Sequence, residues 1–99
     1  MNSDNTMTYE QRIAAVISDP ASLNLPPVAP IIAMFASQFR PMLPPANSNE
    51  NLTSYEIIQA LEDTCSLTTQ EVAVTMVYLG YRLNINSYRG YEWAMTTPE

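Results

Sequence analysis

Among the side chains of this 99-residue chain that could do acid–base or nucleophilic chemistry are ten carboxylates and one thiol, but no histidine. Without histidine, neither a serine triad nor a histidine-bearing metal site can be built. Glu62 and Asp63 are adjacent acids, but paired catalysis needs carboxylates that converge across a cleft. Two neighbours at the end of a helical pattern read as a solvated pair. Cys65 lies in a polar turn with no base beside it, which predicts an unactivated thiol, and a lone cysteine makes no intramolecular disulfide. Only two glycines occur, and no phosphate-cradling loop. These residues predict a chain that is not an enzyme and uses no metal, cofactor or small-molecule substrate.

Binding is the remaining chemistry, and the charges constrain it. The cations are Arg12, Arg40, Arg82 and Arg89, with no lysine, and the net charge is -6. Nucleic-acid binding draws its non-specific affinity from Lys and Arg that neutralise phosphates. This balance disfavours DNA unless the few arginines gather on one face. Charged residues make up 14% of the chain, and the acids are scattered, which weighs against an acidic decoy of a nucleic-acid-binding protein. Hydrophobic residues make up 46%, enough for the core of one domain. A chain this small buries a modest fraction of its surface, so a protein partner or self-dimer would add stability. No basic-then-apolar leader and no long apolar run is present, which predicts a cytoplasmic protein with no membrane contact. In that compartment the sequon Asn51-Leu52-Thr53 carries no meaning.

The elements that must position these residues are marked by local signals. Thr8-Tyr9-Glu10-Gln11 is a capping box that opens a helix with Tyr9, Ile13, Val16 and Ile17 at buried spacing, and Asp19-Pro20 stops it. Seven of the eight prolines follow between Asp19 and Asn51. Within that stretch Pro30 suits a first helical position, and Ile31, Phe35 and Phe39 repeat every four residues. The pairs Pro27-Val28-Ala29-Pro30 and Pro41-Met42-Leu43-Pro44 match the P-x-x-P docking pattern, but at the borders of an apolar helix they read as structural prolines. Asn47-Ser48-Asn49-Glu50 is a polar loop. Thr53-Ser54-Tyr55-Glu56 opens a further helix with Ile57, Ile58 and Leu61 on one face. Thr68-Thr69-Gln70-Glu71 opens the last helix, with Val72, Met76 and Leu79 inward and Gly80 as a left-handed terminator. The period then switches to two. Tyr81, Leu83 and Ile85 alternate with Arg82, Asn84 and Asn86, and after Ser87-Tyr88-Arg89-Gly90 the run Tyr91, Trp93, Met95 alternates with Glu92 and Ala94. That is a hairpin, with Tyr91 and Trp93 expected to pack inward and Tyr88 to be exposed.

Helix, turn, helix ending in Leu79-Gly80-Tyr81, then a hairpin, resembles the winged helix-turn-helix superfamily, in particular the small modules of phage and mobile-element proteins. The resemblance spans about residues 31–95. Leu52 to Leu61 resembles the leading strand and first helix of the motif, Glu71 to Tyr81 its recognition helix, and residues 82–95 its wing. The implied fold is mainly α with a small β-hairpin, a winged helix-turn-helix preceded by an extra N-terminal helix. Residues 1–29 would form that helix and a Pro-rich connection, and residues 30–99 the winged-helix module, in one compact domain overall.

In that superfamily the recognition helix enters the major groove. Here its outward positions are Gln70, Val74 and Val77, flanked by Glu71 and Tyr78. Gln70 could read adenine, but no cation stands beside it and Glu71 would face phosphate. The apolar strip Val74, Val77 and Tyr78, if the N-terminal helix leaves it open, suits a protein partner. Tyr88 and Arg89 at the wing tip are the further expected contacts. The leading expectation is a protein-interaction module, a small regulator or inhibitor acting on another protein. The alternative is a sequence-specific DNA-binding transcriptional regulator, in which Arg82 and Arg89 hold phosphates while Thr69 and Gln70 read bases.

Overall fold

The computed structural model describes residues 7–41, 51–86 and 90–96. In chain order these form α1 (Tyr9–Ser18), a one-turn 3-10 helix (Ala21–Leu23), α2 (Ala29–Ala36), β1 (Arg40–Pro41), α3 (Ser54–Leu61), α4 (Thr69–Leu79), β2 (Arg82–Asn86) and β3 (Gly90–Thr96). The wing-tip residues Tyr88 and Arg89, the loop Asn47–Glu50 and most of the second P-x-x-P segment lie outside the described residues.

All three capping boxes form as the sequence spells them. Thr8, Thr53 and Thr68 each accept from the backbone of the residue three on, and Gln11, Glu56 and Glu71 return the bond to the cap. Two orphan donors are satisfied at each start. At the other end of α4, Gly80 takes φ 99°, the left-handed conformation that a side chain would strain.

Helix α2 departs from its predicted pattern. It runs Ala29–Ala36, so Pro30 is its second residue, and its fully buried side chains are Ala29, Ile32, Ala33 and Ala36. The expected stripe of Ile31, Phe35 and Phe39 is only half-buried. The reason is steric: α2 packs against both α1 and α4, and alanines let helix backbones approach closely where phenylalanines would hold them apart. On α1, Val16 is fully buried and Tyr9 and Ile13 pack on the core, but Ile17 is exposed.

The sheet has strand order β1-β3-β2, antiparallel throughout. Leu52 adds an isolated bridge to Trp93, so the chain between α2 and α3 meets β3 on the side away from β2. Trp93 is 1% exposed, as its place in the predicted hairpin suggested. Tyr91 is not inward: it is 62% exposed, while Glu92 and Ala94, expected on the open face, are buried. Strand β3 is central, and its base is covered on both faces while its start near the turn extends beyond the helices.

The described chain is mainly helical with a small β-hairpin, and its order is compatible with a winged helix-turn-helix preceded by an extra N-terminal helix. No helix among the described residues is long and apolar enough to cross a membrane.

The N-terminal helix is tied to the rest by a phenol pair, the half-buried Tyr9 and the buried Tyr81. Tyr9 and Tyr81 hydroxyls hydrogen-bond to each other, their rings meeting edge to face at 5.8 Å. Both hydroxyls also reach the carbonyls of Ala36 and Phe39, with Tyr81 Oη 2.7 Å from the Ala36 oxygen. The pair thereby ties α1 and the start of the hairpin to the Ala36 carbonyl, which also accepts from the Phe39 N–H, and to the Phe39 carbonyl just past the end of α2. Tyr81→Phe is expected to cost about 1 kcal/mol and to lower the thermal midpoint by roughly 4–8 °C, read by circular dichroism. The Tyr9→Phe, Tyr81→Phe double variant should lose less than the sum, because the two hydroxyls share acceptors.

Candidate functional site

A cleft of about 600 Å³ lies at the C-terminal end of α4, where that helix, α1 and the hairpin converge. Its walls include Tyr9, Arg12, Val77, Gly80, Arg82 and Leu83. The capping box fixes where α4 begins and Gly80 where it ends, so Val77 is set one turn from the cleft floor. The sharp exit at Gly80 then turns β2 back past it.

Arg12 reaches this cleft from α1. Its Nη1 donates to the Tyr78 carbonyl at 2.6 Å, and its guanidinium lies 5.5 Å from the centre of the Tyr78 ring. The last turn of α4 has no cation of its own, so Arg12 supplies from another helix the positive charge that a helix C-terminus favours. Tyr78 is half-buried as a result. The predicted strip Val74, Val77 and Tyr78 is therefore divided: α1 occupies Tyr78, while Val74 is 40% and Val77 62% exposed.

The open apolar surface continues onto the hairpin, where sequence reasoning expected a buried face. Leu83 is opposite Trp93 and Ile85 opposite Tyr91 in the ladder, and residues directly opposite share a face. Trp93 fills the core, but Leu83 is exposed and Ile85 is 73% exposed beside the exposed Tyr91. A band of Val77, Leu83, Ile85 and Tyr91 thus crosses from helix to hairpin with Arg12 and Arg82 at its cleft. The alternation of Leu83 and Ile85 was the available signal, and it was compatible with either face being covered. Arg12 had none, lying 66 residues from its acceptor.

Among the described residues of the DNA-reading alternative, Thr69 and Gln70 lie apart from Arg82. Thr69 and Gln70 are exposed in the first turn of α4, where Gln70 borders a separate hollow with Asn24, Pro26 and Val74. Arg82 is exposed beyond the opposite end, and an 11-residue helix separates the two ends by about 16 Å. Arg89 lies outside the described residues.

Chemically the cleft offers two guanidiniums, phenol groups and apolar walls, with no carboxylate, thiol or imidazole among its lining residues. Apolar groups and anions are well matched to such a lining. Cys65 is half-buried in the turn between α3 and α4 and is not among the cleft's lining residues. Compared with known protein families, curated proteins and solved structures, the chain matches none.

Proposed function

We propose that this chain is a non-enzymatic protein-interaction module of winged-helix type, a small regulator or inhibitor that acts by occupying the surface of another protein. The observation that carries this reading is the exposed apolar band from Val77 to Tyr91, on the helix and hairpin where a DNA reader would carry cations. Contiguous exposed apolar surface is characteristic of protein contacts, and tyrosine is enriched at their centres. Arg12 and Arg82 at the cleft suit a partner that presents a carboxylate beside an apolar ridge. In a chain of net charge -6, they also lessen the repulsion that an acidic partner would meet at this surface.

Exposure of Thr69, Gln70 and Arg82 is what favours the second reading, a DNA-binding transcriptional regulator. The two separate in one titration. Fluorescence anisotropy of a labelled mixed-sequence duplex is expected to stay flat at low and physiological salt. Micromolar binding that weakens steeply with salt would overturn the protein-partner reading. In parallel, Val77→Glu is expected to reduce partner retention on immobilised protein at least tenfold. Its unfolding free energy should stay within about 0.5 kcal/mol of the parent, because the side chain is exposed.

A further inference from the structure

We propose that the hairpin edge pairs with a second copy of the chain, β2 against β2 about a two-fold axis through Asn84, joining two three-stranded sheets into one of six. The proposal rests on the reading of this surface as a protein contact and names one occupant for its hairpin end.

The backbone carries the argument. Strand β2 is the outer strand of the sheet, and its residues from Arg82 to Ile85 are all exposed. In an antiparallel ladder each residue turns its N–H and C=O to one side, and successive residues alternate. The Trp93 N–H is donated to the Leu52 oxygen at 2.8 Å, on the side of β3 away from β2. The opposed pair Leu83 and Trp93 is therefore a non-hydrogen-bonded pair, and Leu83 turns its N–H and C=O to the outer edge. Ile85, two residues on, does the same. These are the groups that antiparallel self-pairing about Asn84 requires. Leu83 faces Ile85 of the second copy and exchanges both backbone bonds with it, and the two-fold repeats the exchange on the other side.

The side chains agree with that register. Leu83 and Ile85 lie on one face, so pairing sets each against its apolar counterpart and beside Tyr91. Arg82 falls opposite Asn86, not opposite the second Arg82, so no like charges meet across the seam. The strand itself has no acid and carries Arg82, which moderates the repulsion between two copies of net charge -6 along this edge. Edge strands that stay single are normally blocked by lysine, proline or a bulge. The five residues of β2 contain neither residue and pair with β3 in unbroken register. A short strand pair with a few apolar side chains lies at the small end of specific interfaces, so the dimer should form and dissociate with concentration in the micromolar range.

The test uses the full chain in sedimentation velocity from low micromolar to near-millimolar concentration, with two sets of variants. The parent is expected to shift from monomer to dimer across the range. Ile85→Lys, at an exposed position, is expected to raise the dissociation constant at least tenfold with an unchanged circular dichroism spectrum. In a Cys65→Ser background, Asn84→Cys is expected to form a covalent dimer on mild oxidation, because the two-fold puts the paired Cα atoms about 4.5 Å apart. Arg82→Cys should not, since its own copy lies roughly 13 Å along the strand. A parent that stays monomeric throughout overturns the pairing, as does a dimer that Ile85→Lys leaves intact or one in which Arg82→Cys links and Asn84→Cys does not. A monomeric result would leave the Val77 and duplex experiments to decide the wider reading by themselves.

Discussion

Trp93→Ala is expected to remove about 3–5 kcal/mol of folding stability, enough to leave much of a small domain unfolded at room temperature when total stabilities run from about 5 to 15 kcal/mol. Trp93 is 1% exposed on the central strand. Its backbone N–H is donated to the Leu52 oxygen, and its indole N–H is donated to Ser54 Oγ at 3.0 Å. One side chain thus joins the hairpin to the first residue of α3. Truncation would open a cavity under the sheet and leave Ser54 without its donor. Trp93→Phe keeps most of the apolar burial and should cost about 1–2 kcal/mol less than alanine does. Urea unfolding followed by far-ultraviolet circular dichroism reads both, since the chain's one tryptophan is gone from each variant. A loss under 1 kcal/mol for Trp93→Ala would mean that the sheet does not depend on this residue for its seat on the helices.

Deleting residues 1–19 is expected to cost on the order of 4–6 kcal/mol, comparable to burying two or three large apolar side chains. The deletion removes the fully buried Val16 and the half-buried Tyr9 and Ile13, and it uncovers the alanines of α2 beneath them. It also strips the Tyr9 hydroxyl from the Ala36 and Phe39 carbonyls and the Arg12 guanidinium from the end of α4. The remaining chain should show helical circular dichroism with a broad, weakly cooperative thermal transition, and it should bind a hydrophobic dye. A sharp transition near that of the full chain would show instead that residues from α2 onward form a self-sufficient module and that α1 is an accessory. Arg12→Ala alone should cost about 1–2 kcal/mol, which separates the polar tie from the packing.

Much of the element order was legible because the signals act over three or four residues. Thr8, Thr53 and Thr68 each define a helix start with the residue three ahead. Asp19-Pro20 defines a stop, and Gly80 a left-handed exit that turns α4 into β2. The switch from helical to twofold period at Tyr81 located the hairpin, and Trp93 proved to be its core residue. Phe35 in α2 and Phe39 just beyond it stay half-buried because periodicity reports which residues share a face, not how near a neighbouring helix must come. Where α1 and α4 both approach, the buried face of α2 is three alanines and Ile32.

The candidate site was legible in half. Val74 and Val77 follow from counting around α4. Leu83, Ile85 and Tyr91 share a face with Trp93, and in sequence nothing distinguishes the residue that enters the core from those that overhang it. The difference is where the helical layer ends, a distance between elements far apart in the chain. Arg12 shows the same limit. From its neighbours it is one more solvated cation on α1, and only the docking of that helix carries it to the Tyr78 carbonyl. The sequence by itself determined the helix starts and stops, the hairpin and the shortage of positive charge, because each depends on residue type and short spacing. Tertiary structure alone decided that Tyr78 is covered, that Val77 is open and that one strand edge faces outward, because burial depends on the reach of a neighbouring layer, which local pattern does not encode.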